Sequence, residues 1–355
     1  MKKLVSLLLS VTMMLGLASF AMAESETFEL ALITDVGTID DKSFNQGAWE
    51  GLEEYAVENG ISHKYYEPAS KTSDAYLDSI ELAVNGGAKL IVTPGYLFEE
   101  PIYMAQDMYP DTMFVLLDGN PHNADYSEYR TEKNTVGIVY AEEQSGFLAG
   151  YAAVKEGYTN LGFIGGMAVP AVIRFGYGFV QGAEYAAEEM GIESVTINYH
   201  YTGNFDATPE AQALAASWYN DGVEVIFACG GAVGTSVMAA AASTEGKWVI
   251  GVDIDQSSES EKVLTSATKG LSASVYQAVE AYYAGEFPGG ESWVLGADRD
   301  GVGLPMETSR FSVFTQADYD AIFAKLVAGE VELVKDEIAS AADIETSIVK
   351  VTVIQ

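Results

Sequence analysis

Nine short aliphatic and β-branched runs punctuate the chain, at 30–34, 89–93, 113–117, 136–140, 161–164, 195–199, 225–228, 248–252 and 263–267. They lack polar alternation, the pattern of strands covered on both faces, as in parallel sheets packed between helices. Between them, segments of helical period fall at 44–59, 75–85, 142–155, 176–190, 209–220, 233–243 and 272–284. The alternation predicts an α/β chain, and that many strands divide more readily into two sheets than one. Polar stretches at 119–134 and 255–261 are the expected first and second crossings between two lobes, with a third near 296–303. Lobe 1 then comprises residues 24–120 and 262–298, and lobe 2 residues 121–261 and 299–355. Several crossings make a hinge around a cleft, and in open parallel sheets ligands sit beyond the carboxyl ends of the strands.

The first segment changes the expected compartment. Met1-Lys2-Lys3 is basic, residues 4–20 are apolar, and Ala21-Met22-Ala23 precedes Glu24, so residues 1–23 read as a cleaved export signal. Leu17-Ala18-Ser19-Phe20 follows a bacterial lipobox except that Phe20 stands where the lipidated cysteine belongs. A released mature protein, periplasmic or associated with the cell surface, is therefore expected.

Composition adds exclusions. A chain of 355 residues, 48% hydrophobic and 20% charged, is globular and long enough for two cores; it is no disordered tail, collagen-like repeat or disulfide scaffold. With 52 acidic against 18 basic residues the formal charge is −34. That surface repels nucleic acid and anionic lipid over roughly a Debye length of about 8 to 10 Å. The single cysteine, Cys229, falls in an apolar run and reads as a small buried hydrophobe. His63, His122 and His200 are scattered and offer no zinc spacing, and no cofactor is expected.

Candidate chemistry gathers just after the strands. The first strand leads into Asp35-Val36-Gly37-Thr38-Ile39-Asp40-Asp41-Lys42-Ser43-Phe44-Asn45-Gln46, where Ser43 and Gln46 have capping-box spacing and place a helix start at Phe44. Phe44 shares a helical stripe with Ala48 and Leu52, a pattern that also fits a core position. Other strand ends carry Asp118, the pair Gly230-Gly231, Asp253 and Lys269. Adjacent glycines let a ligand approach the backbone, and a carboxylate beside an ammonium can hold a sugar diol.

The segment 35–46, together with Tyr201-Thr202-Gly203-Asn204-Phe205, Ala228-Cys229-Gly230-Gly231 and Ile250-Gly251-Val252-Asp253-Ile254-Asp255-Gln256, resembles the basic membrane protein family, substrate-binding proteins of ABC transporters that include purine-nucleoside-binding lipoproteins. The resemblance spans about residues 28–303. It implies a type I periplasmic-binding-protein fold, two doubly wound parallel-sheet lobes joined by a hinge, and a permease partner. Phe44 and Phe205 match the aromatics that sandwich the base. Asp118 matches the carboxylate facing the base edge, and Asp35, Gly230, Asp253 and Lys269 match groups around the ribose, with Asn45 beside them. The chain departs from the family at Phe20 and at Gly270, where a charged residue is common.

Two rival readings stand beside this one. Asp35, Asp118 and Asp253 could hold Mg²⁺ for hydrolysis, yet the sequence carries no phosphate loop, nucleophile elbow or His-Glu-x-x-His, and no histidine falls in the matched motifs. The same cleft could instead hold a sugar, riboflavin or a signalling molecule, because stacking reads flatness and not identity.

Overall fold

The computed structural model describes residues 27–354, so the expected export signal at 1–23 lies outside the described residues. The chain runs β1 (Leu30–Ile33), α1 (Phe44–Asn59), β2 (His63–Tyr66), α2 (Ser73–Asn85), β3 (Leu90–Pro94), α3 (Glu99–Met108), β4 (Met113–Leu117) and β5 (Thr135–Tyr140). It continues through α4 (Glu142–Lys155), β6 (Asn160–Gly165), α5 (Pro170–Met190), β7 (Val195–Tyr201), α6 (Pro209–Asn220), β8 (Val225–Cys229), α7 (Val233–Ala242), β9 (Trp248–Asp253) and β10 (Val263–Lys269). Last come α8 (Leu271–Ala284), β11 (Ser292–Leu295), β12 (Val302–Gly303), α9 (Gln316–Val327) and β13 (Val349–Val353).

These strands form two sheets. The first has the order β11-β5-β4-β3-β1-β2 and the second β12-β10-β9-β8-β6-β7-β13. Pairing is parallel throughout except where β12 meets β10 antiparallel. The central strands β1, β3 and β8 are buried along their whole length, which is why they read as continuous apolar runs.

Strand pairing draws the lobe boundaries differently from composition. Phe114 pairs with Thr135 and Leu117 with Ile138, so β5 stays in the first sheet and the first crossing comes at Ala141. Likewise Ala267 pairs with Val252, so β10 belongs to the second sheet and the second crossing follows Lys269. Residues 119–134 and 255–261 are loops within a lobe. Their polarity marks a surface, whereas sheet membership is decided by which apolar strand completes the ladder. Between β11 and β12 the chain passes back to the second sheet.

Helices cover both faces of each sheet, α2 and α3 on one face of the first and α6 and α7 on one face of the second, and closely packed pairs lie on the opposite faces. In lobe 1, α8 lies on α1, where a Cβ at Gly51 would run into the Ser272 backbone. In lobe 2, α4 and α5 approach so closely that a Cβ at Gly146, Gly150, Gly178 or Gly182 would strike the carbonyl oxygen of Phe175, Phe179, Glu143 or Phe147 respectively. The α5 helix starts at Pro170, earlier than the expected 176, with proline in its first turn.

Candidate functional site

The carboxyl ends of both sheets face one cavity of about 250 Å³. Asp35, Phe44, Asn45 and Asp118 reach it from lobe 1, and Phe205, Gly230, Asp253 and Lys269 from lobe 2, so the structure brings all the expected site residues to one place. The parallel topology is the cause, because each of these residues lies at the carboxyl end of a strand or on the loop or helix start that follows it, and those ends point at the other lobe.

The loop after β1 is built by its own side chains. Asp35 Oδ1 accepts from the Gly37 amide at 2.8 Å and from Asn45 Nδ2 at 2.9 Å, while Asn45 Oδ1 accepts from the Asp35 amide at 3.1 Å. The expected capping box at Ser43 and Gln46 does not form. Asp41 caps α1 instead, accepting from the amides of Ser43 at 2.9 Å, Asn45 at 3.0 Å and Gln46 at 3.2 Å. An ionised carboxylate is the stronger acceptor at a helix N-terminus. Ser43 is thereby released to donate its hydroxyl across the cleft to Asp253 Oδ2.

Lys269 occupies the middle of the cleft with its side chain only 2% exposed. Its Nζ lies 2.6 Å from Asp118 Oδ2, 3.4 Å from Glu142 Oε1 and 3.8 Å from Asp253 Oδ1. It also stands 4.6 Å from the centre of the Phe44 ring, within cation–π range. Burial pulls Lys269 toward losing its proton, but the surrounding carboxylates outweigh it and hold the ammonium charged. Burial pushes Asp253 up to about 6 and raises Asp35 as well. Asp118 Oδ1 is buried without a hydrogen-bond partner.

Backbone strain and close approach mark the same strand ends. Asp118 and Asp253 adopt left-handed backbone at φ 58° and φ 68°, a conformation that costs an L-residue energy and that clusters at ligand sites. A Cβ at Gly230 would come within 2.6 Å of the Gly166 amide nitrogen, so only glycine lets β8 end against that loop. Phe205 packs on Gly166, where a Cβ would strike its ring. Phe44 and Phe205 are both half-buried, neither sealed within its own lobe.

Several lining residues escaped the sequence reading. Tyr96 follows β3, and Val169, Val172 and Phe175 come from the start of α5. Pro170 was the signal for the latter group, since proline favours a first helical turn. Glu142 contacts Lys269 although it has no exposed side-chain surface; an acid in a first helical turn is too ordinary to stand out. Cys229 is buried, as expected, and also lines the cavity. Among the described residues no group of three or more His, Cys, Asp or Glu is placed to hold a metal ion, and no helix is long and apolar enough to cross a membrane.

Residues 28–337 match the family described as ABC transporter substrate-binding protein PnrA-like. A protein of Lactococcus lactis subsp. cremoris named ABC transporter nucleoside-binding protein BmpA is 30% identical over 301 residues, covering 79% of this chain and 82% of that one. Basic membrane protein A1 of Borrelia garinii subsp. bavariensis is 29% identical over 336 residues, with 93% and 95% covered. Among solved structures, an ABC transporter solute-binding protein from Aeropyrum pernix superposes with a TM-score of 0.75 at 23% identity, covering 88% of this chain and 94% of that one. At that identity the likeness speaks for the fold.

Proposed function

Because the chain belongs to the PnrA-like family of ABC transporter substrate-binding proteins, we propose that its interlobe cleft binds a purine nucleoside, such as inosine, guanosine or adenosine, for uptake. Proteins of this class work outside the cytoplasmic membrane and hand their ligand to a permease. The observation that carries the nucleoside reading is that Phe44 from lobe 1 and Phe205 from lobe 2 line the same cavity as Asp35, Asp118, Asp253 and Lys269. The name of the lactococcal relative points the same way.

In this reading the base stacks between the two phenyl rings, an interaction on the order of 1 to 3 kcal/mol per base that accepts any flat ring. Selectivity then rests on buried hydrogen bonds. Asp118 Oδ1 has no partner and takes an N–H donor on the base edge, while Asp35, Asn45, Gly230, Asp253 and Lys269 surround the ribose. Such buried groups reject ligands that leave them unpaired, at about 1 to 3 kcal/mol each.

Charge sets a further limit. Asp35, Asp41, Asp118 and Asp253 line the cavity against the single ammonium of Lys269, so a phosphate monoester would meet net repulsion. Calorimetric titration with inosine, guanosine, adenosine and their monophosphates tests this. Micromolar or tighter nucleoside binding with little monophosphate binding is expected; tighter monophosphate binding overturns it. Incubation of nucleoside with protein and divalent metal should leave the nucleoside intact, and a released base would restore the hydrolase reading.

A further inference from the structure

Lys269 is held from behind by a row of charges that leads out of the cleft. Glu142 Oε1 lies 3.4 Å from its ammonium. The other carboxylate oxygen, Oε2, accepts from Arg174 at 3.3 Å, and Arg174 in turn pairs with Asp336 at 2.9 Å. Asp336 lies on the segment between α9 and β13, which runs along α5. There Gln181 hydrogen-bonds the Val334 backbone through both its oxygen and its nitrogen, each at 2.8 Å, and the Tyr177 hydroxyl donates to the Ile338 carbonyl at 3.2 Å. Positive and negative groups thus alternate from Asp118 through Lys269, Glu142 and Arg174 to Asp336.

The position of Glu142 in the fold adds weight. It is the first residue of α4, directly after the first interlobe crossing at Ala141, and Lys269 is the last residue of β10, directly before the second. Their contact therefore ties two of the hinge crossings together. Complementing a helix dipole does not require burial, yet Glu142 has no exposed surface and lies between Lys269 and Arg174. Full burial of a carboxylate is costly, so its retention between two cations calls for a role.

We propose that Glu142 is a positioning residue for ligand binding: Arg174, itself fixed by Asp336, holds its carboxylate so that the Lys269 ammonium stays aimed into the cleft. The inference rests on the nucleoside reading of that cleft. Lys269 from β10, Asp118 beyond β4, Arg174 from α5, Tyr140 at the end of β5 and Cys229 of β8 are the charged or titratable groups around it, and Asp253, the last residue of β9, faces the Lys269 ammonium. Burial raises Glu142 to about 7. Protonation near neutral pH then weakens its hold on Lys269.

Inosine titrations of the full chain across the pH range around neutrality test this. Glu142→Gln should weaken binding roughly tenfold, as expected when a buried charged partner is removed. Wild-type affinity should fall as pH drops through about 7, and that step should be absent in the variant. Asp336→Asn, remote from the cleft, should weaken binding measurably, Asp336→Glu should restore it, and Glu337→Gln on the same segment should change nothing. Unchanged affinity and an unchanged pH profile in Glu142→Gln overturn the proposal. If the wild type binds no nucleoside, the functional reading falls and a ligand-free measurement decides this one. The ¹⁵N resonance of the Lys269 ammonium, assigned by its loss in Lys269→Arg, should shift in both Glu142→Gln and Asp336→Asn; the same position in both overturns it.

Discussion

Replacing Phe44 or Phe205 by alanine should each cost about 1 to 3 kcal/mol of inosine affinity while leaving the fold intact, since both rings are half-buried at the cleft and stacking contributes about that much per base. Calorimetry on the single variants checks it, and unchanged affinity in both would return the rings to a packing role. A pH effect belongs to the same scale. Burial lifts Asp253 to about 6 and Glu142 to about 7. In the unfolded chain carboxyls titrate near about 4. The native state therefore binds more protons between about 4 and 7, and stability falls as pH rises through that window. The melting midpoint should be higher at mildly acidic pH than at pH above 7, and Glu142→Gln should flatten the upper part of that slope. Glu142→Gln should also melt higher than wild type in alkaline buffer while binding more weakly, a split that a purely structural carboxylate would not give. The binding motifs were legible because their residues are contiguous and sit where strands end. Glu142 was not, because only tertiary burial separates it from an ordinary helix-start acid. Ser43 misled for a related reason: Asp41 outcompetes it for the helix amides.

At the scale of elements, the glycines of α4 and α5 are the sharpest constraint. Gly178→Ala or Gly182→Ala places a methyl against the carbonyl of Glu143 or Phe147. Overpacking of this kind costs about 1 to 3 kcal/mol, so either variant should lower the denaturation midpoint. The same substitution at Gly191, where a Cβ meets nothing but φ is 67°, costs through backbone strain alone. The central strands were legible as unbroken apolar runs. The edge strands β2 and β11 were not: in His63-Lys64-Tyr65-Tyr66 only Tyr66 is buried, every side chain of Ser292-Trp293-Val294-Leu295 is half or fully exposed, and edge strands carry polar residues. The first and second lobe crossings were misplaced because polar loops follow strands whether or not the chain changes sheet.

The whole molecule has its lobes in contact across the cleft. Besides the Ser43 bond to Asp253, Gln256 Nε2 donates to the Lys42 carbonyl at 2.6 Å, and Lys269 of lobe 2 meets Asp118 of lobe 1 at 2.6 Å. A ligand shifts an open–closed equilibrium only by its difference in affinity for the two states. Inosine should therefore reduce the radius of gyration measured by X-ray scattering, and Ser43→Ala with Gln256→Ala should enlarge the ligand-free value. A radius unchanged by saturating inosine would count against closure. The most direct test of the central claim is a crystal structure of the protein with inosine bound. The account predicts the purine ring between Phe44 and Phe205, its edge toward Asp118 and its ribose toward Asp35, Asp253 and Lys269. Inosine seated elsewhere, or either phenyl ring turned away from the base into its own lobe, would contradict it.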